Sequence, residues 1–432
     1  MNTAPRDPSF EPQTMELTCC QCRHTSSQLV SPFDRTFTCP QCAREQPLPE
    51  VRSASGQVPP RVTSPFRTPD ASKPGAAPDI VVREDAAASA VGVASLADVA
   101  PDVMSVQRSL SASGRDTPAR RVFDRLVSEI GKIFVGQDEL VLGSLVALFS
   151  SGHVLVESVP GLGKTLFVRT LGRVLGCSFG RIQFTADLMP SDITGAPIFD
   201  MKTQEFRFRP GPVFTQILLA DEINRSPAKT HAALLEIMQE YRVTVDGKSH
   251  ALERPFLVMA TQNPIESEGT YNLPEAQLDR FMFKLVADYP REEEEATILK
   301  MHSCQVDINE RLEQEVSTVT SPAEIVAITH ENSHVRVADR LLDYINKLVR
   351  LTRQWPQFHL GASPRAGIAL MQAVRTLAAF EGRDYAIPDD VVQLALPALR
   401  HRVILTAEAE VEGHCVDDLL RELIRSVEVP RL

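Results

Sequence analysis

The chain has 432 residues, 43% of them hydrophobic and 23% charged, a globular balance with room for two to four domains. Against 45 Lys and Arg stand 56 Asp and Glu, a formal net charge of −11, which argues against a surface built overall to neutralise nucleic-acid phosphates. No run approaches the roughly 18 apolar residues of a membrane-spanning helix, and no basic start leads into an apolar stretch at the front, so a cytoplasmic, reducing location is the expectation.

Residues 19–42 hold five of the eight cysteines, and residues 1–118 hold 15 of the 31 prolines. Cys19 and Cys22 form one C-x2-C pair and Cys39 and Cys42 a second, with 16 residues between them. Each pair can turn two thiolates toward one metal, and two such knuckles complete the tetrahedron of a four-cysteine Zn²⁺ site. The rival is a disulfide framework, which a reducing compartment disfavours; a register using Cys20 or His24 as a ligand also stays open. A zinc-ribbon-like domain is therefore expected over 1–45. A linker rich in Pro, Ala and Ser follows over 46–117, with no sustained period and too little apolar content to offset chain entropy.

From residue 118 the pattern changes to alternating strands and helices, the signature of a parallel α/β sheet. Strand-like apolar runs cover Val154–Glu157, Arg181–Phe184, Ile217–Ala220 and Phe256–Thr261, with helical segments after Gly163 and after Ser226, where Ser226-Pro227 reads as a cap followed by proline. Asp246-Gly247 predicts a tight hairpin turn between Val243 and Leu252. From about 291 helical patterns alone continue, so an α/β domain is expected over 118–290 and an all-α domain over 291–432. The acidic run Glu292–Glu295 reads as a solvated helix start, where acids suit the dipole.

The chemistry gathers at strand ends. Gly161-Leu162-Gly163-Lys164-Thr165 follows the strand ending at Glu157 and opens a helix. Glycines let the backbone wrap a phosphate, which the first amides and dipole of the helix then bind. Lys164 reaches the β- and γ-phosphates, and the Thr165 hydroxyl holds Mg²⁺. The P-loop pattern expects glycine where this chain has Ser158, and serine at a positive φ would be strained, so altered loop geometry is expected there. Ile217–Ala220 runs into Asp221 and Glu222, one carboxylate for the Mg²⁺ shell and one to polarise the attacking water. Gln262-Asn263-Pro264 ends the next strand, as a water-positioning amide or simply a turn. Arg280 and Arg365 carry the guanidinium suited to bidentate phosphate contacts, with surface or ion-pair roles as the alternative.

With these residues assembled, the stretch from 118 to 432 resembles the MoxR family of AAA+ ATPases. The resemblance rests on Val159-Pro160-Gly161-Leu162-Gly163-Lys164-Thr165, Ala220-Asp221-Glu222-Ile223-Asn224-Arg225, Ala260-Thr261-Gln262-Asn263-Pro264, Glu268–Tyr271, Leu273–Phe281, Gly382–Tyr385 and Arg400-His401-Arg402. It implies an AAA+ α/β core with an α-helical lid, and ATP held by the P-loop from Ser158 to Leu166, with Asp221. Val135, Gly136 and Gln137 are similar to the family's adenine-contacting segment. Glu222 then activates water and Asn263 is the sensor-1 residue. Arg365 is the lid's sensor-2 arginine, and Arg280 is the arginine finger that reaches a neighbouring subunit's site.

The resemblance also implies a homo-oligomeric ring, a hexamer, whose hydrolysis drives chaperone-like remodelling of a protein client, with a von Willebrand factor A domain protein as partner. In related proteins, hairpins like those expected at Ile198–Phe208 and Val243–Leu252 face the ring pore or the substrate. Two other readings stand beside it. One is a nucleotide-regulated binding module working through the zinc ribbon; residues 1–118 carry 11 basic and 13 acidic side chains, so protein recognition is favoured over nucleic acid. The other is a magnesium-chelatase-like motor subunit.

Overall fold

A computed structural model describes residues 13–18, 25–30, 36–38 and 45–47, and 115–430 apart from 203, 265–270, 272 and 304–307. The chain forms two compact units, one within residues 1–92 and one within 93–432. In the first, β1 (Gln13–Thr18) pairs antiparallel with β2 (Thr25–Val30), and β3 (Thr36–Thr38) with β4 (Glu45–Pro47). Cys19 and Cys22 fall in sequence between β1 and β2, and Cys39 and Cys42 between β3 and β4, so all four lie outside the described residues, as does most of the predicted linker.

The second unit opens with α1 (Pro118–Gly131), started by Thr117, whose hydroxyl accepts from the Arg120 amide, and by proline at the first position. Next come α2 (Asp138–Phe149), β5 (Val154–Ser158), α3 (Lys164–Leu175), β6 (Phe179–Gln183), α4 (Pro190–Thr194), β7 (Gly195–Asp200), β8 (Glu205–Pro210) and β9 (Ile217–Asp221). Then follow α5 (Ala228–Glu240), β10 (Arg242–Val245), β11 (Lys248–Ala251), β12 (Leu257–Gln262), α6 (Glu275–Leu278) and β13 (Phe283–Ala287). Five strands make one parallel sheet in the order β13-β5-β12-β9-β6. β5 lies inside the sheet beside β12, and the chain leaves β5 toward β6 on one side and β12 toward β13 on the other, so the loop after β5 opens at the crevice such sheets use for ligands.

Side-chain alternation builds the layers. Val154, Val156, Ile217, Leu219, Leu257 and Met259 face one apolar cluster with α1, α2 and α3, whereas Leu155, Leu218, Ala220, Val258 and Ala260 face another with α5. Asp246 and Gly247 take φ of 49° and 73° between β10 and β11, the tight turn expected there. The helix after Ser226 starts at Ala228 with Pro227 as its cap, one residue later than predicted, because the Ser226 hydroxyl instead bonds the Ile223 carbonyl.

The part after β13 comprises α7 (Glu292–Ser303), α8 (Ile308–Glu315), α9 (Pro322–Asn332), α10 (Asp339–Thr352), α11 (Pro364–Phe380), α12 (Pro388–Leu399), α13 (Ala407–Val411) and α14 (Val416–Ser426). It is helical as expected except for a short pair, β14 (Phe358–Leu360) with β15 (Ile404–Leu405). Lid and core share one apolar cluster: the Phe380 ring of α11 stacks on Phe123 of α1 at 4.4 Å and meets Phe149 of α2 edge-on at 5.3 Å. Among the described residues no helix is long and apolar enough to cross a membrane.

Candidate active site

The loop from β5 to α3 has its left-handed positions at Gly161 (φ 89°) and Gly163 (φ 73°), where glycine costs least. Ser158 is not strained: it ends β5 opposite Ala287 of β13, outside the positive-φ residues. The expected distortion is therefore absent, because the turn begins after the strand rather than at its last residue. Ser158 is buried, and its hydroxyl has no hydrogen-bond partner among the described residues. Val159, Pro160 and Leu162 complete the loop, and Lys164, Thr165 and Leu166 form the half-buried first turn of α3. No side chain caps that helix and no acid sits in its first turn, so its N–H groups and positive dipole end suit a phosphate.

Phe134 ties the preceding segment to this loop, packing on Phe167 of α3 with ring centroids 4.8 Å apart. Val135, Gly136 and Gln137 follow, with Gly136 at φ 77° and Gln137 at φ 57°. A Cβ on Gly136 would come within 2.7 Å of the Glu294 carboxylate. Glu294, from the acidic run at the start of α7, accepts from the Arg291 amide at 2.9 Å and its guanidinium at 2.6 Å.

The two acids at the end of β9 are held differently. Asp221 is 8% exposed; its Oδ1 accepts from the Thr261 hydroxyl at 2.6 Å, and its Oδ2 pairs with Arg181 of β6 at 2.7 Å. The same Thr261 oxygen accepts from the Glu222 amide at 2.9 Å, so one buried hydroxyl spaces both acids. Glu222 sits at φ 55°, ψ 49°, a left-handed conformation that costs a non-glycine residue energy and clusters at functional sites. Its Oε2 accepts from Gln183 at 2.7 Å and pairs with Arg225 at 3.2 Å. Asn263 is buried two residues beyond Thr261, whereas the intervening Gln262 turns to Glu157, which also pairs with Lys284 at 2.6 Å.

Arg280 lies in the turn between α6 and β13, half-buried, with its Nε shielded and without a hydrogen-bond partner among the described residues. Arg365 is exposed in the first turn of α11, whose N-cap Ser363 accepts from the Arg365 amide at 3.1 Å. The Ser363 hydroxyl also donates to Asp279 at 2.7 Å, which places the start of α11 beside the Arg280 turn. Phosphate-binding loop, paired acids and buried amide thus meet at the carboxyl ends of β5, β9 and β12.

The sequence profile of the "ATPase family associated with various cellular activities (AAA)" matches residues 153–283, and that of the AAA lid domain matches 350–423. The chaperone MoxR1 of Mycobacterium tuberculosis is 42% identical over 318 residues, 72% of this chain and 82% of its own. Protein MoxR of Methylorubrum extorquens is 31% identical over 336 residues, covering 73% and 96%. The chain belongs to the MoxR family of AAA+ ATPases. Its activity is ATP hydrolysis. YeaC, a Bacillus subtilis member of this similarity group, is 48% identical over 306 residues, 71% of this chain and 94% of its own. A crystal structure of a protein from Cytophaga hutchinsonii superposes with a TM-score of 0.67 at 40% identity, covering 72% of this chain and 96% of that one.

Within this MoxR-family site, sequence reasoning missed Arg181, Gln183 and Arg225 as partners of the two acids, and Thr261 as their spacer. One signal was available: Arg181 and Gln183 alternate on a strand that ends level with Asp221, with Gln183 directly paired to it in register. Among the described residues, no group of three or more His, Cys, Asp or Glu is placed to hold a metal by itself. That is compatible with Mg²⁺, which retains waters and takes phosphate oxygens as ligands.

Proposed function

We propose that the chain hydrolyses ATP at subunit interfaces of a homo-oligomeric ring, a hexamer, and uses the cycle to remodel or activate a protein client. The observation that carries this reading is the paired arrangement of Asp221 and Glu222 around Thr261, level with the P-loop, together with an Arg280 whose Nε has no hydrogen-bond partner among the described residues. Lys164 and the α3 amides bind the phosphates, Gly136 and its neighbours the adenine. Thr165 and Asp221 would hold Mg²⁺, which when bound neutralises charge between the β- and γ-phosphates. Asp221, held by Thr261 and Arg181, would face that metal directly or through one of its waters. Glu222 must leave Gln183 and Arg225 to polarise the attacking water, which Asn263 orients. Arg280 completes the neighbouring site and stabilises transition-state charge, a contribution of roughly 10³–10⁵ for arginine fingers. Arg365 senses the γ-phosphate from the lid, so hydrolysis changes the lid's attitude.

Client handling has two candidate surfaces. The hairpin of β7 and β8 exposes Ile198, Phe199, Met201 and Phe206, the last two at 83% and 73%. It touches the β10–β11 hairpin through Phe208 stacked on His250 at 4.1 Å. Exposed apolar groups of this kind suit transient contact with unfolded or extended chain. The second surface is the N-terminal unit, where Cys19, Cys22, Cys39 and Cys42 are proposed to hold Zn²⁺, since each C-x2-C falls between two paired strands. The name chaperone carried by the Mycobacterium tuberculosis relative supports a client-directed role, and a von Willebrand factor A domain protein is the partner class the family resemblance suggests. The experiment that tests the interface reading is turnover per chain against protein concentration, followed alongside the mass of the assembly by light scattering. Turnover is expected to rise through the assembly midpoint; full activity from the monomer would refute it.

A further inference from the structure

The turn that carries Arg280 belongs to the core, yet lid side chains hold it. Arg402, just beyond α12, has a side chain only 2% exposed. Its Nε pairs with Asp279 Oδ1 at 2.8 Å, and its Nη2 donates to the Asp279 carbonyl at 3.2 Å and the Phe281 carbonyl at 2.6 Å. Its Nη1 donates to the Met282 carbonyl at 3.1 Å and to the Ala398 carbonyl of α12. All five guanidinium N–H groups are thereby used, four of them on residues 279–282. His401 bonds the Phe281 carbonyl through Nε2 at 3.0 Å, and the Ser363 hydroxyl takes Asp279 Oδ2 at 2.7 Å.

Both carboxylate oxygens of the residue before Arg280, and the carbonyl of the residue after it, therefore end on the lid. Phe281 itself is fully buried in the core. A cavity of about 450 Å³ bordered by Asp279, Lys284, Ser363, Arg400 and Arg402 adjoins this junction, so directed polar bonds, more than close packing, keep the turn in place.

We propose that Arg402 is a positioning residue that ties the placement of Arg280 to the orientation of the lid, so that the lid of one protomer sets the transition-state contact delivered to its neighbour. The inference rests on Arg280 acting across a subunit interface. Arg402 never meets nucleotide in this account; it acts through the peptide that carries Arg280. Lysine in its place keeps a charge for Asp279 but loses the planar fork that reaches three carbonyls of the turn. A shift of the order of 1 Å in a catalytic group is enough to cost up to about 10²-fold in rate.

The test uses full-length Arg402→Lys and, as a gentler second variant that keeps the hydrogen-bonding shape, Asp279→Asn. Each should lower turnover by about tenfold or more while ATP affinity stays within about twofold, a loss in kcat rather than KM. Each is then mixed with an excess of Glu222→Gln protomers, which cannot activate water but present an intact Arg280 turn. Turnover at the sites of the Arg402→Lys protomers should recover, as it should for Arg280→Ala treated identically. Recovery for Arg280→Ala without recovery for Arg402→Lys and Asp279→Asn overturns the inference and leaves the finger in place. Failure of Arg280→Ala to recover overturns the finger across the interface and this inference with it. Wild-type turnover in unmixed Arg402→Lys also overturns it.

Discussion

Replacing Gln183 with leucine removes the amide that holds the Glu222 carboxylate at 2.7 Å and keeps the side-chain volume. Gln183 is exposed, so the change leaves the core intact. A hydrogen bond to a charged group is worth about 1.5–3 kcal/mol when buried. The Glu222 side chain is 26% exposed, and its second partner Arg225 is 42% exposed, so water screens both contacts and about 1 kcal/mol is the fair figure for the Gln183 contact. In the held conformation Glu222 is engaged sideways, toward β6 and Arg225, and must be released before it polarises water. Removing 1 kcal/mol from the hold raises the released fraction roughly fivefold, since about 1.4 kcal/mol is a factor of ten. Basal kcat, measured by steady-state phosphate release at saturating ATP, should rise by about that factor with KM little changed. A kcat equal to wild type, or lower, would mean that the contact orients Glu222 productively and that the hold is not a restraint.

Gly136→Ala would drive a Cβ into the Glu294 carboxylate at 2.7 Å from a backbone at φ 77°; ATP affinity by equilibrium titration should weaken about tenfold, and wild-type affinity would remove this segment from the adenine site. Burial pushes the His153 imidazole down to about 4 from an ordinary 6.5, and burial and the Arg402 charge push His401 down as well. The unfolded chain therefore takes up protons first as pH falls, and stability is lost between about 6.5 and 4. His153 alone accounts for about 3 kcal/mol of that loss at most; denaturant midpoints from pH 7 to 5 should fall less steeply for His153→Gln, and parallel curves would refute the assignment. The full chain should bind one Zn²⁺ by elemental analysis and lose it in Cys39→Ser; retention of metal by that variant would exclude the four-cysteine site.

What the sequence made legible is what lies close together along it. The P-loop and the Asp221-Glu222 pair are each one strand end plus a few residues, and both stand where expected at the edge of the sheet's crevice. Ser363 caps α11 through the Arg365 amide two residues on, a local bond of the same kind. β13 was missed because Phe283-Lys284-Leu285-Val286-Ala287 is short and broken by a lysine, and as an edge strand it alternates between buried and half-buried positions. Lys284 there finds Glu157 on the neighbouring strand, a partner no local pattern reveals. The hold on Glu222 was hidden for the same reason: Gln183 lies 39 residues before Glu222 and meets it only through the register of β6 with β9. Arg400-His401-Arg402 was visible as a family-like run, but three adjacent ionisable residues buried at 7% exposure each make sense only once their partners, 120 or more residues earlier, are in place.

In the proposed cycle Glu222 activates the water that attacks ATP bound at this P-loop. Glu222→Gln keeps the size of the side chain and its hydrogen-bonding reach but removes the base. The decisive measurement is single-turnover hydrolysis by that variant alongside its equilibrium affinity for ATP. Affinity should stay near wild type while hydrolysis falls by about 10² or more. Hydrolysis at the wild-type rate would contradict it.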